Sequence, residues 1–281
     1  MSLARYLTRA DASILPRHLS ETAPPLKLEA GRKLRVGVDL GTAYLVLVVL
    51  DEDGLPLAGE WQFAQVVRDG LVVDFIQATD LLSGMKERVE RRIGRPLTHA
   101  SSGYPPGVPA IEARAKAHVI EAAGMDCTGS IDEPTAANNV LGLREGAIVD
   151  VGGGTTGIAV LRGGQVVHTA DEATGGTHFS LVIAGALGIS FEDAEALKIT
   201  RQEQPRLQPM VRPVMEKIAS IIIRRTEGWD VGSITMVGGT SSFLGIAEVV
   251  QEYTGIPTCV PGNPLFVTPI GMALNDTSQS C

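Results

Sequence analysis

Two stretches of the chain, "LRVGVDLGTAYLVLVVLDEDGLPLAGEW" (Leu34 to Trp61) and "GAIVDVGGGTTGIAVLRGGQVVHTA" (Gly146 to Ala170), follow one plan. Each is an apolar strand, Asp-x-Gly, a threonine-bearing turn, a second apolar strand, a tight turn and a third strand. The leading aspartates, Asp39 and Asp150, stand about 110 residues apart. A β-meander used twice, each time followed by helical periodicity, predicts an α/β chain of two duplicated lobes, each opening with strands and finishing with helices.

The second copy also spells a dinucleotide fingerprint, G-x-G-x-x-G, at Gly152-Gly153-Gly154-Thr155-Thr156-Gly157, with the acidic Asp171 and Glu172 about twenty residues on. That reading requires the glycines to open a helix. "TGIAVLRGGQVV" instead alternates and turns as strands do, so the match is accidental. No G-x-x-x-x-G-K-[ST] sequence and no protein-kinase motif set is present.

Helical spacing ending at glycine marks Ala78 to Gly94 and Ile111 to Gly124, with the start of "THASSGYPP" as a short strand between them. After the second meander come helical "THFSLVIAGALG", "SFEDAEALKIT" with Ser190 as its cap, and "PVMEKIASIIIRRTEG". "SITMVGGTSSFLGIAEVVQEYTG" then repeats the order strand, Gly-Gly, small hydroxyl residues, helix. Residues 1–33 stand apart behind the Pro-rich "TAPPLKLEAG" and read as an appendage. Leu3, Leu7, Ala10 and Ile14 fall on one helical face there, suited to docking on a partner or on its own domain, with a frayed tail as the alternative.

A chain of 281 residues with 44% hydrophobic residues buries a real core. A net charge of -8 excludes nucleic acid or an anionic membrane as the main partner, because neither attracts such a protein overall. The longest apolar run, Tyr44 to Leu50, is far short of the roughly 20 residues a membrane helix needs, and no signal peptide precedes it. Cys127, Cys259 and Cys281 are odd in number and widely spaced, which fits a reducing cytoplasm and neither a disulfide framework nor zinc. His99, His118, His168 and His178 lack metal spacing and read as surface or core residues. The basic run Met85 to Arg95 reads as a solvated helix face.

The chemistry lies in the glycine turns. Residues without Cβ let backbone N–H groups converge on a phosphate, and two such turns facing each other can hold a triphosphate from both sides. Asp39 and Asp150 would then project at the same phosphates, which calls for a divalent cation, Mg2+ bound largely through water being the natural one. Thr42, Thr155 and Thr156 add hydroxyl contacts. A third glycine turn, Gly238-Gly239 with Thr240 and Ser241, suits an adenosine or a phosphate at a helix start.

Five motifs in order now carry a resemblance: "VGVDLGTAY", "SIDEPTAANNVLGL", "IVDVGGGTTGIAV", "ITMVGGTSSFLGI" and "NPLFVTPIGMAL", from Val36 to Leu274. They resemble the phosphate, connecting and adenosine motifs of the actin-like ATPase superfamily, which includes DnaK-type chaperones, MreB, FtsA and PilM. The resemblance implies an actin-like ATPase (ribonuclease H-like) fold, with two duplicated lobes around a nucleotide cleft and ATP with Mg2+ as cofactors. It implies residues 1–33 as the appendage, 34–144 and 145–260 as the two lobes, 261–274 as a connecting helix returning to the first lobe, and 275–281 as a tail. By the same resemblance Gly41, Thr42, Ala43 and Tyr44 lie along one side of the phosphates and Gly152, Gly153, Gly154 and Thr155 along the other. Asp39 and Asp150 hold Mg2+ through water, and Glu133 orients the attacking water. Glu195 and Lys198 contact ribose and base, and Gly176 and Gly239 border the nucleoside.

"VVRDGLVVDF", "DEPTAANN", "ADEATGGTHFSLVIAG" and "NPLFVTPIGMA" are similar to one branch, the chaperone-like EutJ family of ethanolamine utilisation. That implies ethanolamine ammonia-lyase or microcompartment proteins as partners and a cytoplasmic, microcompartment-associated setting. Two departures stand out. A DnaK-type chaperone carries a substrate-binding domain beyond its nucleotide domain, whereas this sequence ends soon after Leu274; and the chaperone lysine near the γ-phosphate has only Arg68 in the corresponding stretch. Three functions compete: an ATP-dependent assembly factor with weak Mg2+-dependent ATPase activity, a self-associating filament or scaffold protein like MreB, FtsA or PilM, and a small-molecule kinase, which ranks last because no base beyond Glu133 is evident.

Overall fold

The computed structural model describes residues 3–28, 31–68, 71–107 and 110–276. The chain divides into two compact units, one built from residues up to Leu141 and from Phe266 onward, the other from Gly142–Leu265.

The first unit begins with α1 (Leu3–Ser13), β1 (Ile14–Pro16) and α2 (Arg17–Ser20). The meander follows as β2 (Leu34–Leu40), β3 (Tyr44–Asp51) and β4 (Pro56–Phe63), then a hairpin of β5 (Val67–Arg68) and β6 (Leu71–Val72). Next come α3 (Phe75–Ile93), β7 (His99–Tyr104), α4 (Ala110–Ala122), β8 (Asp126–Asp132) and α5 (Glu133–Leu141). The second unit runs β9 (Gly146–Val151), β10 (Thr156–Arg162), β11 (Gln165–Glu172), α6 (Gly176–Leu187), α7 (Phe191–Ile199), α8 (Gln204–Arg225), β12 (Ile234–Val237), α9 (Ile246–Thr254) and β13 (Thr258–Cys259). The chain then returns to the first unit as α10 (Val267–Leu274).

The duplication is visible in the sheets. Their orders are β1-β4-β3-β2-β7-β8 and β11-β10-β9-β12-β13. In each, the first meander strand is antiparallel to the second and parallel to a later strand on its other side, β2 with β7 and β9 with β12. Each unit has its own core: Leu82, Met85, Val89 and Ile93 of α3 pack on β2–β4 in the first, and Leu207, Val211, Met215, Ile218 and Ile222 of α8 pack on β9 and β10 in the second. The spacing of those α8 residues is one helical face.

Differences from the sequence reading have physical causes. The helix expected from Pro213 begins at Gln204, with Pro205 in its first turn and Pro209 and Pro213 inside it. The buried apolar face outweighs the donors those prolines lack. Residues 3–20 are part of the first unit, with Leu7, Ala10 and Ile14 buried and β1 parallel to β4. The basic run Met85 to Arg95 is not simply a solvated face: Arg88 forks onto the buried carboxylate of Glu60 at 2.6 and 2.9 Å, and Arg92 donates to the carbonyl of Ser13 at 2.6 Å. Among the described residues no helix is long and apolar enough to cross a membrane, and Cys127 and Cys259 are free thiols.

The end of α10 is tied to the start of the sheet. Asp276, fully buried, accepts from the backbone N–H of Val36 at 3.0 Å and from Thr128 Oγ1 at 2.8 Å, and pairs with His99 Nε2 at 3.1 Å. That bond is the main reason the His99 imidazole is held above its ordinary pKa. Along α10 the fit is tight enough that a Cβ on Gly271 would lie 1.8 Å from the carbonyl oxygen of Ala136 in α5. Gly271→Ala should therefore cost about 2–3 kcal/mol in urea denaturation. Gly185→Ala, in open space on α6, should gain about 0.5 kcal/mol. Equal, mild effects would remove the helix contact.

Candidate functional site: two glycine turns and the residues behind them

In the first unit Asp39, the last residue but one of β2, lies opposite Val46, and Leu40 opposite Leu45. The Gly41 N–H donates to the carbonyl of Tyr44 at 3.1 Å, closing the turn around Thr42 and Ala43. In the second unit Asp150 lies opposite Gly157 and Val151 opposite Thr156. There Gly152 N–H donates to the carbonyl of Thr155 at 3.0 Å around Gly153 and Gly154. The two turns thus share one hydrogen-bond pattern and one register.

The first turn is braced by aromatic side chains, the Tyr44 ring meeting Trp61 and Phe63 edge-on at 5.4 and 5.7 Å. Asp39 has company: Glu133 opens α5, whose Thr135 N–H is capped by Asp132 at 3.0 Å, and the buried Lys116 of α4 reaches Glu133 Oε1 at 3.5 Å. Burial, then repulsion from Glu133, pushes the Asp39 carboxyl up to about 7 against the pull of Lys116. Arg68 is exposed on β5.

The second turn is gripped from behind. The N–H groups of Gly176 and Thr177, at the start of α6, donate to the carbonyls of Gly152 and Gly153 at 2.9 and 2.8 Å. Thr240 Oγ1 adds a bond to Gly152 O at 2.8 Å. In a trans peptide the C=O and the following N–H point opposite ways, so the N–H groups of Gly153 and Gly154 are aimed away from α6. Thr156 Oγ1 is held on the carbonyl of Thr174 at 2.6 Å. Gly238 sits at φ 86°, and a Cβ there would lie 2.3 Å from Asp150 Oδ1, so only glycine lets the Gly238-Gly239 turn pass the aspartate.

Beneath α6 lies a buried ion pair. Lys198 Nζ donates to Glu195 Oε2 at 2.6 Å and to the carbonyl of Gly176 at 3.1 Å, and Ser180 Oγ donates to the same carboxylate oxygen at 2.6 Å. Burial lowers the Lys198 pKa against the pull of Glu195. Gly152, Gly176, Thr240, Glu195 and Lys198 are thus one connected cluster, with Gly238 bringing in Asp150. Sequence reasoning missed Lys116, a lysine with no motif around it, and Ser180 and Thr174; the "TGG" at Thr174–Gly176 was an available signal for the last.

Asp39 in the first unit and Asp150 in the second are carboxylates, the kind of oxygen donor a hard cation such as Mg2+ takes. Among the described residues no three Asp, Glu, His or Cys side chains gather into a metal cage.

Two meander-led sheets of one order, each with an Asp-x-Gly turn, define an actin-like fold. The model of the cell division protein FtsA matches residues 147–273, and that of the MreB/Mbl protein residues 58–192. The MreB5 of Spiroplasma citri bound to AMPPNP aligns with a TM-score of 0.72 at 18% identity, covering 90% of this chain and 98% of that one. The ethanolamine utilization protein EutJ of Escherichia coli (strain K12) is 40% identical over 241 residues, 85% of both chains. The crystal structure of EutJ from Carboxydothermus hydrogenoformans aligns with a TM-score of 0.88 at 41% identity, over 97% of this chain and 99% of that one. The chain belongs to the EutJ family of ethanolamine utilization proteins.

The raised Asp39 gives a pH test. Its pKa in the folded chain lies above the ordinary 3.8, so the folded form holds the proton more tightly. The stability this confers is full below about pH 4 and is lost as pH rises through about 7. Asp39→Asn should raise Tm by several degrees at pH 8 and by little at pH 4 in thermal melts without nucleotide; an equal shift at both would remove the charge-burial account.

Proposed function

We propose that this protein binds ATP with Mg2+ through both glycine turns and acts as a chaperone-like assembly factor in ethanolamine utilisation. The observation that carries the reading is the repeat of one turn geometry, Asp-x-Gly with the glycine N–H closed onto the third residue on, in each unit. A single such turn ends a strand; two in matched registers support a ligand with two ends to hold.

In this reading the N–H groups of Gly153 and Gly154, with Thr155, donate to phosphate oxygens, and Gly41 to Tyr44 do so from the other turn. Asp39 and Asp150 hold Mg2+ mostly through its waters, and the ion supplies positive charge against the phosphates. Glu133, placed by the α5 cap and by Lys116, orients the attacking water. Glu195 and Lys198 set the position of α6 and meet ribose and base there, and Gly176, Gly238, Gly239 and Thr240 border the nucleoside. Hydrolysis is slow, and the nucleotide works by favouring one arrangement of the units, which it does only through different affinity for the alternatives. The partner is ethanolamine ammonia-lyase or a microcompartment protein, supported by the family and by its name alone.

A second reading, a filament or scaffold protein, is favoured by the likeness to MreB5 and by the FtsA model match. Light scattering separates them: growth with ATP, Mg2+ and protein concentration supports the filament, and unchanged scattering the assembly factor.

Calorimetry with Mg2+ and ATP should show binding that Asp150→Ala weakens at least tenfold, beside a phosphate-release assay on both proteins. No heat at millimolar ATP would overturn the nucleotide reading.

A further inference from the structure

Residues 3–20 form a strap of helix, strand and helix lying on the outer edge of β4. Three backbone positions pair in parallel, Ile14 with Gly59, Leu15 with Glu60 and Pro16 with Trp61. Ile14 is shaped to its seat: a Cβ on Gly59 would lie 3.1 Å from both Cγ atoms of Ile14. Arg9 Nε and Ser13 Oγ both donate to the carbonyl of Pro56, at 2.9 and 3.4 Å.

One part of the seam around this seat is incompletely bonded. Where α2 meets α3, the buried Ser20 Oγ and Arg92 Nε have no hydrogen-bond partner, while Arg92 Nη1 holds the carbonyl of Ser13. Native interiors seldom leave such groups unpaired, so this contact is held below its full strength. Among the strap residues whose side chains are described, the buried apolar anchors are Leu7, Ala10 and Ile14.

The hinge is short. Leu26 N–H is fixed to the carbonyl of Arg92 at 2.6 Å, and Leu26 and Leu28 pack on the core. Glu21 to Pro25, which include two prolines, are the whole link between the strap and that fixed point. Short, stiff hinges favour exchange of an element between identical chains over its free swing.

We propose that the β4 edge is an exchange site that accepts, in trans, the same strap of a second copy of this chain. The sequence of the strap is the occupant whose fit to the seat the structure displays, Ile14 against Gly59.

The test mixes two full-length preparations of different mass and follows mixed dimers by native mass spectrometry. Mixed dimers should increase with concentration and form at a rate set by strap release. Inserting Gly-Ser-Gly-Ser after Ala23, which lengthens the hinge and leaves every strap contact in place, should reduce them at least tenfold while circular dichroism stays native. A fluorescently labelled peptide of residues 3–20 added to the wild-type chain gives a second readout: capture that unlabelled peptide competes away and a scrambled peptide does not show supports exchange. Monomers alone with no peptide capture overturn it. Mixed dimers unchanged by the insertion also overturn it, and move the contact to another surface such as the exposed Val73, Phe75 and Ile76.

Discussion

The second unit is organised around two carbonyl groups. Those of Gly152 and Gly153 receive the first N–H groups of α6 and the hydroxyl of Thr240, so a helix start, a strand-end turn and the glycine loop are locked in one arrangement. The helix gives its end donors to the turn, and the amides of Gly153 and Gly154 are thereby aimed away from α6. A turn fixed in this way by its own protein contacts has little ordering left to undergo. The first unit reaches the same turn by different means, bracing Tyr44 between Trp61 and Phe63.

The Glu195–Lys198 pair secures that arrangement from below. Two charges buried together cost solvation, and they are tolerated when every remaining lone pair and proton finds a partner. Ser180 takes part of the carboxylate and the Gly176 carbonyl takes part of the ammonium, so the pair is bonded to the very residue whose N–H holds the loop. Loss of one member would leave an unpaired buried charge, with a cost of about 3–5 kcal/mol. The chemistry on the first unit is softer. Asp39, Glu133 and Lys116 share one neighbourhood in which two carboxylates oppose each other, and the single lysine moderates the conflict without ending it.

The meanders were legible because β-branched runs broken by Asp-x-Gly leave little choice of structure, and the helices because Gly94 and Gly188 end them in left-handed geometry while Ser190 caps α7. What was hidden depends on contacts between distant residues. β8, "DCTGSID", is polar and half-exposed, and becomes a strand because β7 pairs with it. β1 needs the bare Gly59. Prolines argued for a later start to α8 than its buried face allows. Of the site, the aspartates and glycines announced themselves through repetition, whereas Lys116 sits in an ordinary helical stretch and gains its meaning only beside Glu133.

The units differ in continuity along the chain. The second is a single stretch, while the first closes only when α10 and Asp276 return to the edge where Val36, His99 and Thr128 wait for them. The first unit therefore closes only once the chain reaches Asp276, and the bond from Val36 to Asp276 spans 240 positions of sequence. Contacts at such separation form slowly, because the entropy of closing the long loop comes before the contact offsets it.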